Sequence, residues 1–156
     1  MPDESLGAAL EREHHEIDAG LAAFADALQG GTVTPEPLLG SAQALRRHIY
    51  LEEEMLFPPL RDAGLVAPVF VMLQEHGQIW RELDRLERAA VEGTDNTEMA
   101  SACTELAALL DSHNMKEERV LYPRADDILG SASQELLAFL ESGSMPEGWV
   151  CARAAA

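Results

Sequence analysis

His113 and Glu117, within Ser112–Asp126 (SHNMKEERVLYPRAD), stand four residues apart just ahead of a proline. On an α-helix that spacing sets an imidazole and a carboxylate one turn apart on the same face. The chain carries the pattern twice. In Arg47–Leu60 (RHIYLEEEMLFPPL), His48 matches His113, Glu52 matches Glu117, Glu53 matches Glu118, Leu56 matches Leu121, Phe57 matches Tyr122 and Pro58 matches Pro123, all in one register. Two more histidines share a repeat of their own: EHHEI at 13–17 parallels EHGQI at 75–79, pairing His14 with His76 and setting His15 opposite Gly77. Doubled imidazoles and carboxylates of this kind point to a paired site.

The elements that must position these residues read as helices. From about Asp3 to Gln29 the apolar residues Leu10, Ile17, Leu21, Phe24 and Leu28 follow a helical period in which His14 fills the gap, with His15 at the edge of that face. A second helix is expected from about Pro35, behind a Thr34 cap, to Arg61, its inner stripe being Leu38, Ser41, Leu45, His48, Glu52 and Met55, with Pro58 and Pro59 closing it. The third runs from Pro68 to about Glu92 with Val69, Leu73, His76, Trp80, Leu83 and Leu86 or Glu87 inward. After the turn Gly93–Glu98, where Asp95 and Glu98 are spaced as a capping box, the fourth runs from about Asn96 to Tyr122 and buries Cys103, Leu106, Leu109 or Leu110, His113 and Glu117. A second capping-box spacing, Ser131 with Gln134, opens a short amphipathic helix through Leu140. The tail from Ser142 has no period, and either docks through Trp149 or stays loose. Short loops between long helices give an all-α, up-down-up-down four-helix bundle over residues 1–128, followed by a short helix and irregular tail over 129–156.

Composition narrows the partners. The 156 residues suit one domain, and 28 acidic against 11 basic residues give a formal charge of -17, which argues against nucleic acid and anionic membrane surfaces. Cys103 and Cys151 form neither a zinc spacing nor a disulfide framework. With no basic and apolar leader and no run long enough to span a bilayer, a cytoplasmic location is the expectation.

Collected on the inner faces are His14, His48, Glu52, His76, His113 and Glu117. A single buried histidine is usually a hydrogen-bonded core residue, but carboxylates at one level of an apolar core need neutralising by protons, by each other or by metal. Four imidazoles and two carboxylates are what two metal ions need. Without thiolates, the donor set suits iron or manganese more than structural zinc. By the two-fold repeat, His14 and His48 serve one ion, His76 and His113 the other, and Glu52 and Glu117 bridge, which leaves room on each ion for a small exogenous ligand.

This set resembles the hemerythrin-like, HHE cation-binding family over Leu6–Asp126. The resemblance implies a non-haem centre of two iron ions, oxo- or hydroxo-bridged, in a four-helix bundle. In oxygen-carrying members the third helix supplies a second histidine four residues after the first, where this chain has Trp80. The fourth helix there uses an aspartate five residues after its histidine, where this chain offers Glu117 at four and Glu118 at five. The set is similar instead to four-His, two-Glu variants linked to iron, oxygen, nitric oxide or peroxide chemistry. Further candidates around the metals are Asp18, four residues after His14, which reads either as a ligand or as a solvated edge residue; Tyr50, which needs a local helix distortion to reach a metal; Trp80, a core residue that would screen solvent if it lay over an iron; and His15 with Glu53, which read as helix-edge residues within reach of the ligands as hydrogen-bond partners. The functional expectation is a di-iron protein reacting with hydrogen peroxide, nitric oxide or dioxygen, catalase- or peroxidase-like, served by a redox partner. The alternative is an iron, oxygen or nitric oxide sensing or binding module without turnover.

Overall fold

The structure, a computed structural model, describes residues 4–93 and 95–155. The expected helix start at Asp3, Thr94 of the Gly93–Glu98 turn and the last residue of the tail, Ala156, lie outside them. Helix α1 spans Leu6–Gln29, α2 Pro35–Leu51, α3 Phe57–Asp62, α4 Val66–Glu92, α5 Asn96–Lys116, α6 Tyr122–Leu129 and α7 Ser133–Ser142. Helix α1 packs on α2 and α5, and α4 on α5 and α2, which is the up-down-up-down arrangement. No helix among the described residues is long and apolar enough to cross a membrane.

The helix ends follow from local chemistry. Ser5 caps α1 by accepting from the Ala8 N–H at 3.1 Å, and the Asp126 carboxylate accepts from the Leu6 and Gly7 N–H groups at 2.9 and 3.2 Å, so the end of the fourth helix fastens the start of the first. Asp95 caps α5 through the Thr97 N–H. Gly93 ends α4 in the left-handed conformation at φ 70°. The capping box expected at Ser131 does not form: Gly130–Ala132 is a 3-10 turn, and the Ser133 hydroxyl donates back to the Gly130 carbonyl at 2.7 Å.

The second and fourth helices are not continuous α-helices. Each passes through one π turn, Glu52–Leu56 and Glu117–Leu121, in which the Phe57 N–H reaches the Glu52 carbonyl and the Tyr122 N–H the Glu117 carbonyl. The following residue is proline in both cases, which has no N–H for the residue four back and whose ring collides with that carbonyl. The wider turn shifts the stripe by one position, so Leu56 is fully buried and Met55, expected inward, is only partly covered.

Two apolar clusters fill the bundle. One contains Ile17, Phe24, Leu45, Ile79, Trp80 and Leu106; the other contains Leu10, Leu51, Phe57, Met72, Leu121 and Leu136, the last from α7. Along each helix the inward histidine lies between a residue of one cluster and a residue of the other, as His14 does between Leu10 and Ile17, so the polar layer is sandwiched between two dry ones. Gly20 permits the close approach of α1 and α2: a Cβ there would lie 1.9 Å from the Ser41 hydroxyl, which donates to the Ile17 carbonyl. The tail docks. Trp149 meets Tyr50 edge-on at 5.1 Å and Trp80 at 5.7 Å between ring centroids, and its indole N–H donates to Glu54.

Candidate metal centre

His14, His48, Glu52 and Glu117 each present one donor atom within 4.8 Å of one another, and Glu52, His76, His113 and Glu117 do the same. All six side chains are buried. The two groups share both glutamates, one from each π turn. Glu52 points one oxygen at each half, Oε1 at 3.1 Å from His76 Nε2 and Oε2 at 3.5 Å from His48 Nε2. Glu117 Oε1 lies 3.2 Å from His113 Nε2 and 3.3 Å from His14 Nε2.

Every imidazole directs Nε2 to the centre because its Nδ1 is held from behind by a carboxylate. The pairs are His14 with Glu118 at 2.8 Å, His48 with Glu13 at 2.9 Å, His76 with Glu53 at 2.7 Å and His113 with Glu75 at 2.9 Å. A carboxylate only accepts, so each Nδ1 carries a proton and Nε2 is the nitrogen that each ring would offer to a metal. These partners obey the two-fold repeat. Glu13 and Glu75 directly precede the histidines of the first and third helices, and Glu53 and Glu118 directly follow the two shared glutamates.

The charges of the metal-free cage set its protons. Burial alone would depress His48 and His113, but the Glu52 charge holds the first well above the usual imidazole range and the Glu117 charge lifts the second to about 10. Burial likewise opposes ionisation of Glu52, yet the facing His48 charge keeps its carboxyl well below the ordinary value. His48, His76 and His113 thus hold protons where a metal would offer positive charge. One atom is left over: the buried Glu117 Oε2 has no hydrogen-bond partner. An orphaned carboxylate oxygen within a convergent set of imidazole nitrogens fits a cation.

Tyr122 adds a group that spacing alone did not select. Its hydroxyl donates to Glu52 Oε2 at 2.7 Å and lies 3.0 Å from both His14 Nε2 and His48 Nε2 and 3.3 Å from Glu117 Oε1. Burial first, and the Glu117 and Glu52 charges next, raise its phenol well above the ordinary value. The other half has no counterpart hydroxyl, because Phe57 stands at that position and stacks on His76.

A family model, the Hemerythrin HHE cation binding domain, matches residues 5–125. The chain belongs to this hemerythrin family. Uncharacterized proteins of Mycobacterium bovis and of two strains of Mycobacterium tuberculosis are each 29% identical over 137 residues, covering 78% of this chain. The alignment takes in 54% of each of them, so the chain spans about half the length of the curated relatives it matches. No solved structure matches it.

Within the hemerythrin bundle, the remaining candidates lie off the centre. Tyr50 faces away, packed on Phe139 at 5.6 Å and on Trp149, because α2 is regular up to Leu51 and no distortion turns it inward. Trp80 is a core residue under the Arg46 guanidinium and against Trp149, and is in neither donor group. Asp18 and His15 are exposed on α1, also outside both groups. Glu53 does hydrogen-bond a histidine of the cage, as expected of a partner. Glu13 and Glu75 join the site through His48 and His113, and their only trace in the sequence is the repeated Glu-His dipeptide at 13–14 and 75–76. Tyr122 was legible only as the aromatic of a Leu-aromatic-Pro ending.

Proposed function

We propose that the cage holds two iron ions and reacts with a small oxidant or diatomic: hydrogen peroxide, nitric oxide or dioxygen. The observation that carries this reading is the sharing of Glu52 and Glu117 between two groups that each have only two imidazoles. Counted this way the histidines and glutamates supply four donors per ion, fewer than the six an octahedral ion takes, and Asp18 belongs to neither group. Iron bound there supplies reversible redox change and open coordination positions for a small molecule. The chain's own part is to orient and to shield. Four Nδ1–carboxylate bonds fix the rings, the two apolar clusters keep bulk water out, and the Tyr122 hydroxyl stands ready to donate a hydrogen bond at the His14/His48 half. An oxygen carrier needs a second histidine where this chain has Trp80, so reaction is favoured over reversible carriage.

The test is iron content, spectrum and turnover on one preparation. Purified protein is expected to hold about two irons per chain, and to consume hydrogen peroxide at least about ten-fold faster than His113→Ala, a loss on the scale of one missing metal ligand. An iron-loaded protein that leaves both peroxide and nitric oxide untouched would overturn the reading.

A further inference from the structure

The bundle has two seams related by its internal two-fold, one between α2 and α4 and one between α1 and α5, and the chain treats them differently. At the α2–α4 seam the C-terminal segment lies across the back of the centre. The Ala152 N–H donates to Glu53 Oε1 at 2.9 Å, while Glu53 Oε2 holds His76 Nδ1. Trp149 covers Tyr50, Trp80 and Glu54, and Arg81 donates to the Arg153 and Ala154 carbonyls at 2.9 and 3.2 Å. The segment passes so close to α4 that a Cβ on Gly77 would lie 2.4 Å from the Arg153 carbonyl oxygen.

At the α1–α5 seam each of those docking residues has a counterpart unfit for the task. His15 stands in the place of Gly77, Asp18 of Trp80, Met115 of Tyr50, Glu118 of Glu53 and Arg119 of Glu54. His15 sets a side chain where Gly77 leaves room for backbone, and neither Asp18 nor Met115 offers the ring on which a tryptophan could rest. The same five residues, with Asp111 and Asn114, line an open cavity of about 270 Å³. It shares Asp18 and Asp111 with a second, mostly apolar cavity of about 320 Å³ bounded by Leu21, Leu106 and Leu110. The outcome is visible at the carboxylates: the Glu118 side chain is 25% exposed while its equivalent Glu53 is 4% exposed. One covered step, the Glu118 to His14 pair, separates this cavity from the centre.

We propose that the α1–α5 seam is the mouth through which iron and small neutral ligands reach the centre, and that the C-terminal segment plugs the equivalent α2–α4 seam. This rests on the reading of the centre as an iron site open to an exogenous ligand. Around the mouth three carboxylates, Asp18, Asp111 and Glu118, outnumber the one guanidinium, Arg119, and in a chain of formal charge -17 this balance disfavours anions and leaves passage to ferrous iron and to uncharged molecules such as hydrogen peroxide and nitric oxide.

Two rates on the iron-loaded full chain test it: nitric oxide association by stopped-flow absorbance, and iron release to a chelator kept in bulk solution. Asp18→Trp, which copies Trp80 into the mouth, is expected to slow both by about ten-fold with iron content unchanged. Met115→Trp fills the same mouth from α5 and must act likewise, so the loss of one variant to misfolding leaves the other to decide. Gly77→Ala, which dislodges the plug, is expected to speed both rates, and Val91→Trp on the exposed end of α4 to change neither. Wild-type rates in the two mouth variants would overturn the proposal. If iron-loaded protein binds no nitric oxide, the reactive reading of the centre fails, and iron release still decides the route.

Discussion

Tyr122 and Phe57 occupy equivalent places in the two halves of the bundle, each closing a π turn, and only Tyr122 carries a hydroxyl into the centre. Phe57 stacks on His76 with ring centroids 5.4 Å apart, whereas the Tyr122 oxygen lies 3.0 Å from both His14 Nε2 and His48 Nε2. A cage built on a near-exact repeat therefore has unlike halves.

Tyr122→Phe removes that difference and nothing else of similar size. The six residues of the two donor groups remain, so two irons per chain are expected to bind. The two iron environments are expected to converge in the Mössbauer spectrum, and the visible spectrum to change. In the metal-free chain the loss of a donor to the buried Glu52 carboxylate is expected to cost about 1 to 3 kcal/mol by denaturant titration. Two iron environments as distinct as in the wild type would show that the hydroxyl does not differentiate the halves.

The carboxylates behind the histidines make a graded prediction. Removing such a partner typically costs about 10- to 100-fold in metal affinity, since the ring loses both its orientation and its tautomer. Glu13→Ala is expected to cost more than Glu75→Ala. Glu13 is buried and also pairs with Arg47 at 3.0 Å, which the change strands, while the Glu75 partner Lys116 is half in solvent. Competition against a calibrated chelator measures both, and unchanged affinities would mean that packing alone sets the rings.

The protons of the metal-free cage give opposite pH trends with and without iron. His113, held at about 10 against an ordinary 6.5, contributes stability that is fully present below 6.5 and is lost as pH rises towards 10; His48 and His76 act in the same direction. Glu52, Glu13 and Glu75 are held below their ordinary 4.5, so their contribution is present above that pH and is lost as pH falls through their lowered values. The metal-free melting temperature is therefore expected to peak between 4.5 and 6.5. Iron needs neutral imidazoles and displaces these protons, so its stabilising effect is expected to grow from pH 6.5 upwards. Thermal melts with and without ferrous iron under argon compare the two, and a gap that narrows with rising pH would contradict the scheme.

The donor groups were readable from the chain because a polar residue on an apolar helical stripe stands out, and here six did so in two matching registers. What could not be read shares one physical origin. Helical periodicity assumes an unbroken α-ladder, and the two π turns break it just where the site lies. They bury Leu56 where Met55 was expected, and they set Tyr122 toward the centre where a straight helix gave no reason to look. Tyr50, the phenol that spacing brought nearest to the ligands, stayed on a regular turn and faces Phe139. The docked tail was equally hidden, because it rests on two tryptophans and a glycine far apart in sequence, Trp149 with Trp80 and the segment beside Gly77.

Whether proline or packing maintains those π turns is decided by magnitudes. Pro58→Ala restores an N–H that could bond to the Glu54 carbonyl in an α-turn, a gain of about 1 kcal/mol. Taking that option rotates the following residues out of register and would draw Phe57 and Leu60, both buried, from the core at about 1.5 to 3 kcal/mol each. Packing wins, so Pro58→Ala and Pro123→Ala are expected to keep two irons and to shift stability by no more than about 1 kcal/mol. Phe57→Ala, by contrast, is expected to cost about 3 to 5 kcal/mol, because it opens a cavity beside His76. Denaturant midpoints alongside iron analysis separate the two cases. An emptied centre in Pro58→Ala would mean that the proline, by excluding the α-ladder, is what holds Glu52 in place.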